Sequence, residues 1–182
     1  MPATTRVLIL PGWQNSGAMH WQSRWQTLHG FERVQQADWD WPRRGDWLTQ
    51  LEDAVLADLR PTALVAHSLG CHLVAAWAAK SQHAAQIRGA LLVAPPDTAR
   101  SDMPPQLSTW RVGVRQRLPF PAVMACSTDD PFCSIERALA MAADWGAEGV
   151  NLGAKDHING DSGLADWPEG LRFLRRFTGA ER

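Results

Sequence analysis

Short apolar runs bounded by turn residues recur along the chain, with helically spaced segments between them. Residues 6–10, 63–66, 90–94 and 122–127 are almost continuously aliphatic or small, the pattern of strands buried on both faces of a parallel sheet. Residues 149–152 and 33–37 carry the same signal more faintly. Trp47, Leu51, Val55 and Leu59 recur at helical spacing behind Asp46, an N-cap residue type, and Pro61 closes that segment. Residues 69–79 form an alanine-rich apolar stretch directly after Ser68. A further helix is predicted from Ser134 to Trp145, stopped at Gly146, and Leu171, Leu174 and Phe177 place one apolar stripe on a last helix. Strand and helix alternating at this spacing predict an α/β domain, a mostly parallel sheet with helices on both faces. No internal repeat or low-complexity tract interrupts the pattern, and 182 residues suffice for one core, so a single domain spanning 1–182 is expected.

One segment breaks the rhythm. Residues 95–121 hold six prolines around Trp110 and the arginines Arg111, Arg115 and Arg117. A connection this long in a compact domain is either a lid or binding loop, or a solvated excursion carrying a short helix. The pattern alone leaves both open.

Composition narrows the function classes. Eighteen basic against 19 acidic residues give a net charge of -1, which offers no electrostatic footprint for nucleic acid or an anionic membrane. No apolar run approaches the ~18 residues of a membrane span. Arg6 is followed only by residues 7–10 before Pro11 and Gly12, too short for a signal-peptide apolar region, so a cytoplasmic location is expected. Cys71, Cys126 and Cys133 are odd in number and lack C-x-x-C spacing, which reads as core thiols in a reducing compartment, with no metal site. Ten tryptophans stand beside no tyrosine; nothing physical accounts for that imbalance.

Ligands of open α/β sheets collect at the carboxyl ends of the strands. There the sequence places Pro11-Gly12-Trp13, His67-Ser68, Asp129-Asp130 and His157, after four of the six predicted strands. A serine, an acid and a histidine are what acyl transfer requires. The hydroxyl is a poor nucleophile until a histidine takes its proton, and an acid must fix that imidazole's tautomer. The chain order Ser, acid, His is that of α/β-hydrolases. Residues 66–70 read Ala-His-Ser-Leu-Gly, close to the G-x-S-x-G elbow, with Ala66 as the least bulky departure from the first glycine. Ser68 could alternatively serve only as a helix cap. His67 should face away from Ser68 as a structural histidine, and Cys71 and His72 read as packing residues. The N–H of Leu69 at a helix start, and that of Trp13 in the first strand-end loop, are the natural oxyanion donors. Gly12 to Gly17 also fits G-x-x-x-x-G, but Ala18-Met19 replaces the Lys-Ser/Thr of a phosphate-binding loop.

With those residues in place, the chain resembles the small serine hydrolases of the retinoblastoma-binding protein nine-like family, especially its bacterial members. The resemblance runs through LPGWQNSGAMHWQ, DWDWPRRGDW, VAHSLGC, LPFP, STDDPF, HINGDSG and WPEG. It implies a minimal α/β-hydrolase fold with little or no cap domain, esterase-like chemistry, and Ser68, Asp130 and His157 as the triad. On the family pattern the acid directly precedes the Pro-Phe pair, which selects Asp130 and leaves Asp129 to shape the turn. Asp156 departs from the glycine that usually precedes the histidine. Its carboxylate would either hold the turn through its own backbone or compete for the imidazole. Asn159 and Ser162 read as turn stabilisers. Trp13, Trp41 and Trp110 are candidates for an apolar acyl pocket, or for ordinary core packing.

The expected function is therefore hydrolysis of a small carboxylic ester or thioester through an acyl-enzyme, with no metal or organic cofactor and a small-molecule ester as partner. The alternatives are peptidase or amidase chemistry on the same triad, or a non-catalytic module that docks a protein on residues 95–121.

Overall fold

A computed structural model describes residues 4–179 of the chain. Six strands form one all-parallel sheet: β1 (Arg6–Leu10), β2 (Glu32–Arg33), β3 (Thr62–His67), β4 (Ile87–Val93), β5 (Ala122–Cys126) and β6 (Glu148–Asn151). Their spatial order is β2-β1-β3-β4-β5-β6. The chain steps outward from β1 to β2 and then returns to β3 on the other side of β1, so the order reverses between β1 and β3. Loops leaving those two strands diverge there and open a crevice.

Five α-helices cover the sheet: α1 (Trp21–His29), α2 (Arg44–Leu56), α3 (Leu69–Ala78), α4 (Ile135–Trp145) and α5 (Pro168–Thr178). Alternate strand residues point to opposite faces. Leu8, Leu64, Leu92 and Met124 meet α2, α3 and α4 on one face. Ile9, Val65, Leu91 and Val123 meet α1 and α5 on the other. This two-sided burial is why the central strands read as continuous apolar runs. Every residue of α3 is buried, which fits a helix apolar all round. Among the described residues no helix is long and apolar enough to cross a membrane.

Most elements lie where the pattern puts them, and α4 runs from its Ser134 cap to a left-handed Gly146. Three differ. The helix expected behind Asp46 starts earlier, with Arg43 as its N-cap and no side-chain cap of its own. The Arg44 N–H instead donates to Thr109 Oγ1 at 3.2 Å, a partner 65 residues away. The same helix stops at Leu56, and Leu59 is 81% exposed. There Asp58 Oδ1 accepts from the Arg60 N–H at 2.9 Å, and Pro61 disfavours helical geometry in the residue before it. Finally, α1 was not foreshadowed by the pattern. Its buried face is Trp21, Gln22 and Trp25, so a polar residue breaks the apolar period, and its N-cap is His20, an unusual cap type.

The 95–121 excursion contains one 3-10 turn, Pro105–Trp110, and no domain-sized insertion. Leu107 and Trp110 anchor it in the core.

Candidate active site

The turn from β3 into α3 carries Ser68 at φ 54° and ψ −124°. A non-glycine residue in that region stores strain of about 1–3 kcal/mol. The turn is possible because two neighbours lack side chains. A Cβ on Gly70 would overlap the Leu10 carbonyl oxygen, and one on Gly12 would stand 2.8 Å from Ser68 Cβ. Ala66, fully buried, occupies the remaining small position. Ser68 is not a side-chain cap for α3. Its Oγ lies 2.9 Å from His157 Nε2 instead.

His157 and Asp130 come from the loops after β6 and β5. His157 Nδ1 lies 3.0 and 2.9 Å from the two oxygens of Asp130. A carboxylate only accepts, so Nδ1 carries the proton and Nε2 presents its lone pair to the Ser68 hydroxyl. Both side chains are buried, with 9% of His157 and 4% of Asp130 exposed. Phe132 packs edge-on against the imidazole with ring centroids 4.7 Å apart. Its backbone N–H donates to Asp130 Oδ1 at 2.9 Å. Asp129 points elsewhere. Its Oδ1 accepts from Ser127 Oγ and from the Asp156 N–H, both at 2.7 Å. Those two hydrogen bonds hold its carboxyl below the usual carboxylate range.

Asp156 resolves differently from both expectations. Its backbone is left-handed, φ 51°, which explains why glycine would suit the position. Its carboxylate is exposed and makes no hydrogen bond among the described residues. Asn159 and Ser162 form a reciprocal capping box on the following 3-10 turn.

The loop after β1 carries Trp13 past Ser68. Its indole Nε1–H donates to the Asp40 carbonyl at 2.9 Å, and Gln14 and Asn15 follow at φ 65° each. No group among the described residues accepts from the backbone N–H of Trp13 or of Leu69.

The row of Ser68 and His157 opens into a cleft of ≈ 640 Å³. Trp13, Met103, Pro104, Leu107 and Phe132 give it apolar walls, so residues 95–121 form one side of it. Arg100 also faces the cleft but is engaged by Asp102 and by the Pro131 carbonyl. Of the three tryptophans named as candidates for either a pocket or core packing, only Trp13 lines the cleft. Trp41 is 50% exposed, and Trp110 is buried against Trp47 with its indole on the Pro42 carbonyl. Among the described residues no three His, Cys, Asp or Glu side chains group as metal ligands would.

Sequence reasoning missed a group behind the site. Gln22, fully buried, donates to the carbonyls of Leu10 and Val65 at 3.2 and 3.1 Å and accepts from Ser16 Oγ at 2.7 Å. It ties the ends of β1 and β3 to the Trp13 loop. His67 bonds His20 and the backbone carbonyl of His157. His72 Nε2–H donates to the Pro96 carbonyl at 2.7 Å. The consecutive His20-Trp21-Gln22 was the available signal, hidden because the helix it opens was not recognised.

A six-stranded parallel sheet reversing beside a strained Ser68 elbow defines an α/β-hydrolase fold of minimal size. The serine hydrolase family model matches residues 7–176, and the chain belongs to that family. A solved structure described as a YdeN-like hydrolase from Pectobacterium atrosepticum is 26% identical, with a TM-score of 0.85 over 97% of this chain and 91% of the other. The ydeN gene product of Bacillus subtilis is 19% identical, covering 97% of this chain and all 100% of its own, TM-score 0.71. Est1E of Butyrivibrio proteoclasticus, solved with ferulic acid, is 15% identical, covering 100% and 92%, TM-score 0.76. The last two speak to the fold. No curated protein matches the chain in sequence. The chain is thus a serine hydrolase.

Proposed function

We propose that the chain hydrolyses a small carboxylic ester or thioester through an acyl-enzyme on Ser68. The observation that carries this reading is the unbroken row Asp130, His157, Ser68, each contact within 3.0 Å, opening on an apolar cleft. Ser68 Oγ attacks the carbonyl carbon while its proton passes to His157 Nε2. Asp130 keeps the imidazole in the Nδ1–H tautomer and stabilises the imidazolium that forms. The carbonyl oxygen takes the negative charge, and the N–H groups of Trp13 and Leu69, the latter at the positive end of α3, receive it. Collapse expels the alcohol or thiol with the proton from His157. A water, deprotonated by the same imidazole, then attacks the acyl carbon and releases the acid, restoring Ser68. No step calls for a metal or organic cofactor.

The walls of the cleft favour an apolar acyl or alkyl group. Arg100 is neutralised by Asp102, so recognition of a substrate carboxylate is not expected from it. A series of p-nitrophenyl esters of increasing acyl length, run beside aminoacyl arylamides, tests the reading. Ester cleavage should dominate, and Ser68→Ala should lower it by at least about 10³-fold. Arylamide cleavage exceeding that of esters would move the assignment to an amidase, and full activity in Ser68→Ala would overturn it.

A further inference from the structure

Residues 156–158 are an unfavourable stretch of backbone. Asp156 and Ile158, on either side of His157, hold left-handed φ values of 51° and 48°. For a β-branched residue such as Ile158 that is an outlier, and such conformations persist only where the surroundings over-determine them. Hydrogen bonds do so from two sides. On the acid side, the Lys155 N–H donates to Ser127 Oγ at 2.9 Å and the Asp156 N–H to Asp129 at 2.7 Å. On the opposite side, the His157 carbonyl bonds His67 Nε2 at 2.9 Å and the Ile158 carbonyl accepts from Trp21 Nε1–H at 2.8 Å.

Both donors on that second side trace back to the start of α1. The His157 carbonyl only accepts, so His67 carries its proton on Nε2. Its Nδ1 lies 3.3 Å from His20 Nε2. The Gln22 N–H donates to His20 Nδ1 at 3.1 Å, so His20 must also be the Nε2–H tautomer. One arrangement of neutral rings satisfies every atom in the row: Gln22 N–H to His20, His20 to His67, His67 to the His157 carbonyl. The groups that face the pair favour neutrality. Burial, then Arg33 and His157, pull His20 down to about 3, and burial together with His20 and His157 takes His67 well below its ordinary value.

Building on the triad assigned above, we propose that His20, Trp21 and His67 position the catalytic base. Two side-chain N–H donors, one oriented through a pair of neutral imidazoles, hold the strained 156–158 backbone so that His157 reaches Ser68. They act through His157 and exchange no proton with the substrate, and Gln22 anchors the row by fixing the first tautomer.

The test compares wild type with His67→Leu, His67→Gln and Trp21→Phe on p-nitrophenyl acetate, with a thermal melt of each. The leucine and phenylalanine variants remove a donor and should lose roughly 10- to 100-fold in kcat with KM changed by no more than about twofold. His67→Gln, whose amide N–H falls near the lost Nε2–H, should recover most of that loss. Equal damage from leucine and glutamine, or a defect confined to KM, would overturn the proposal. Nitrogen NMR of histidine-labelled wild type gives a reading independent of turnover and of any variant's folding. His20 and His67 should both be neutral Nε2–H tautomers at pH 7, and a charged or Nδ1–H ring at either position would refute the row. Retained activity in Ser68→Ala would remove the triad while leaving the NMR result intact, so the two failures are distinguishable.

Discussion

Asp129 and Asp130 are adjacent carboxylates with separate duties, and the difference is geometric. Asp130 faces the imidazole of His157, whereas Asp129 accepts from Ser127 and the Asp156 N–H and so joins two loops. Asp130→Asn should therefore lower kcat by up to about 10⁴-fold, since an amide in that place favours the wrong imidazole tautomer. Asp129→Asn should cost far less, and steady-state kinetics that ranked the two in reverse would remove Asp130 from the triad. Asp156 gives a stability prediction of its own. At φ 51° a side chain costs about 1–2 kcal/mol, while glycine loses about 0.5–1 kcal/mol in chain entropy. Asp156→Gly should be neutral to stabilising by up to about 1 kcal/mol in urea unfolding; a clear loss would show that the turn depends on the aspartate. At this scale the sequence was informative where chemistry demands a residue type at a fixed spacing. Ser68, Asp130 and His157 sit in short motifs that announce strand ends. His20 and Gln22 were opaque, because their work is done by bonds to residues tens of positions away, and nothing local distinguishes a buried glutamine from an exposed one.

The elements tell the same story in terms of capping and close approach. Central strands and α3, buried on all sides, were legible as continuous apolar runs. The ends of α2 were not, because its first turn is capped by Thr109 from the excursion and its last is cut short by the Asp58 turn. Thr109→Ala should cost about 0.5–1 kcal/mol in stability through loss of that cap, with kcat little changed; no change in the urea midpoint would mean that water substitutes for the hydroxyl. The junction of β1 with α3 is less forgiving. A methyl at residue 70 meets the Leu10 carbonyl, and Gly70→Ala should destabilise by about 1–3 kcal/mol while also displacing the elbow. The tryptophans were ambiguous for a similar reason: side-chain type announces burial but not address, and only Trp13 turned out to face the cleft.

At the scale of the whole molecule, four histidines among the described residues are buried, His20, His67, His72 and His157, and the depressed pKa values of His20, about 3, and His72, about 4, link folding to pH. The unfolded chain binds their protons first as pH falls below about 6.5, so the stability they support is complete above that value and is lost progressively toward pH 4 and below. Urea midpoints should drop between pH 7.5 and 5, and His72→Gln should flatten that slope; an unchanged midpoint would mean that these rings are charged in the fold. The sheet brings the ends of β1, β3, β5 and β6 to one edge, and there the proposed nucleophile, acid, base and oxyanion donors meet, with no cap domain among the described residues to cover them. The most direct measurement is peptide mapping after treatment with a fluorophosphonate, whose phosphorus a reactive serine attacks, expelling fluoride. A single phosphonyl adduct on Ser68, absent from Ser68→Ala, is the predicted result. An adduct on another residue, or ester hydrolysis that persists with Ser68 unmodified, would contradict the account.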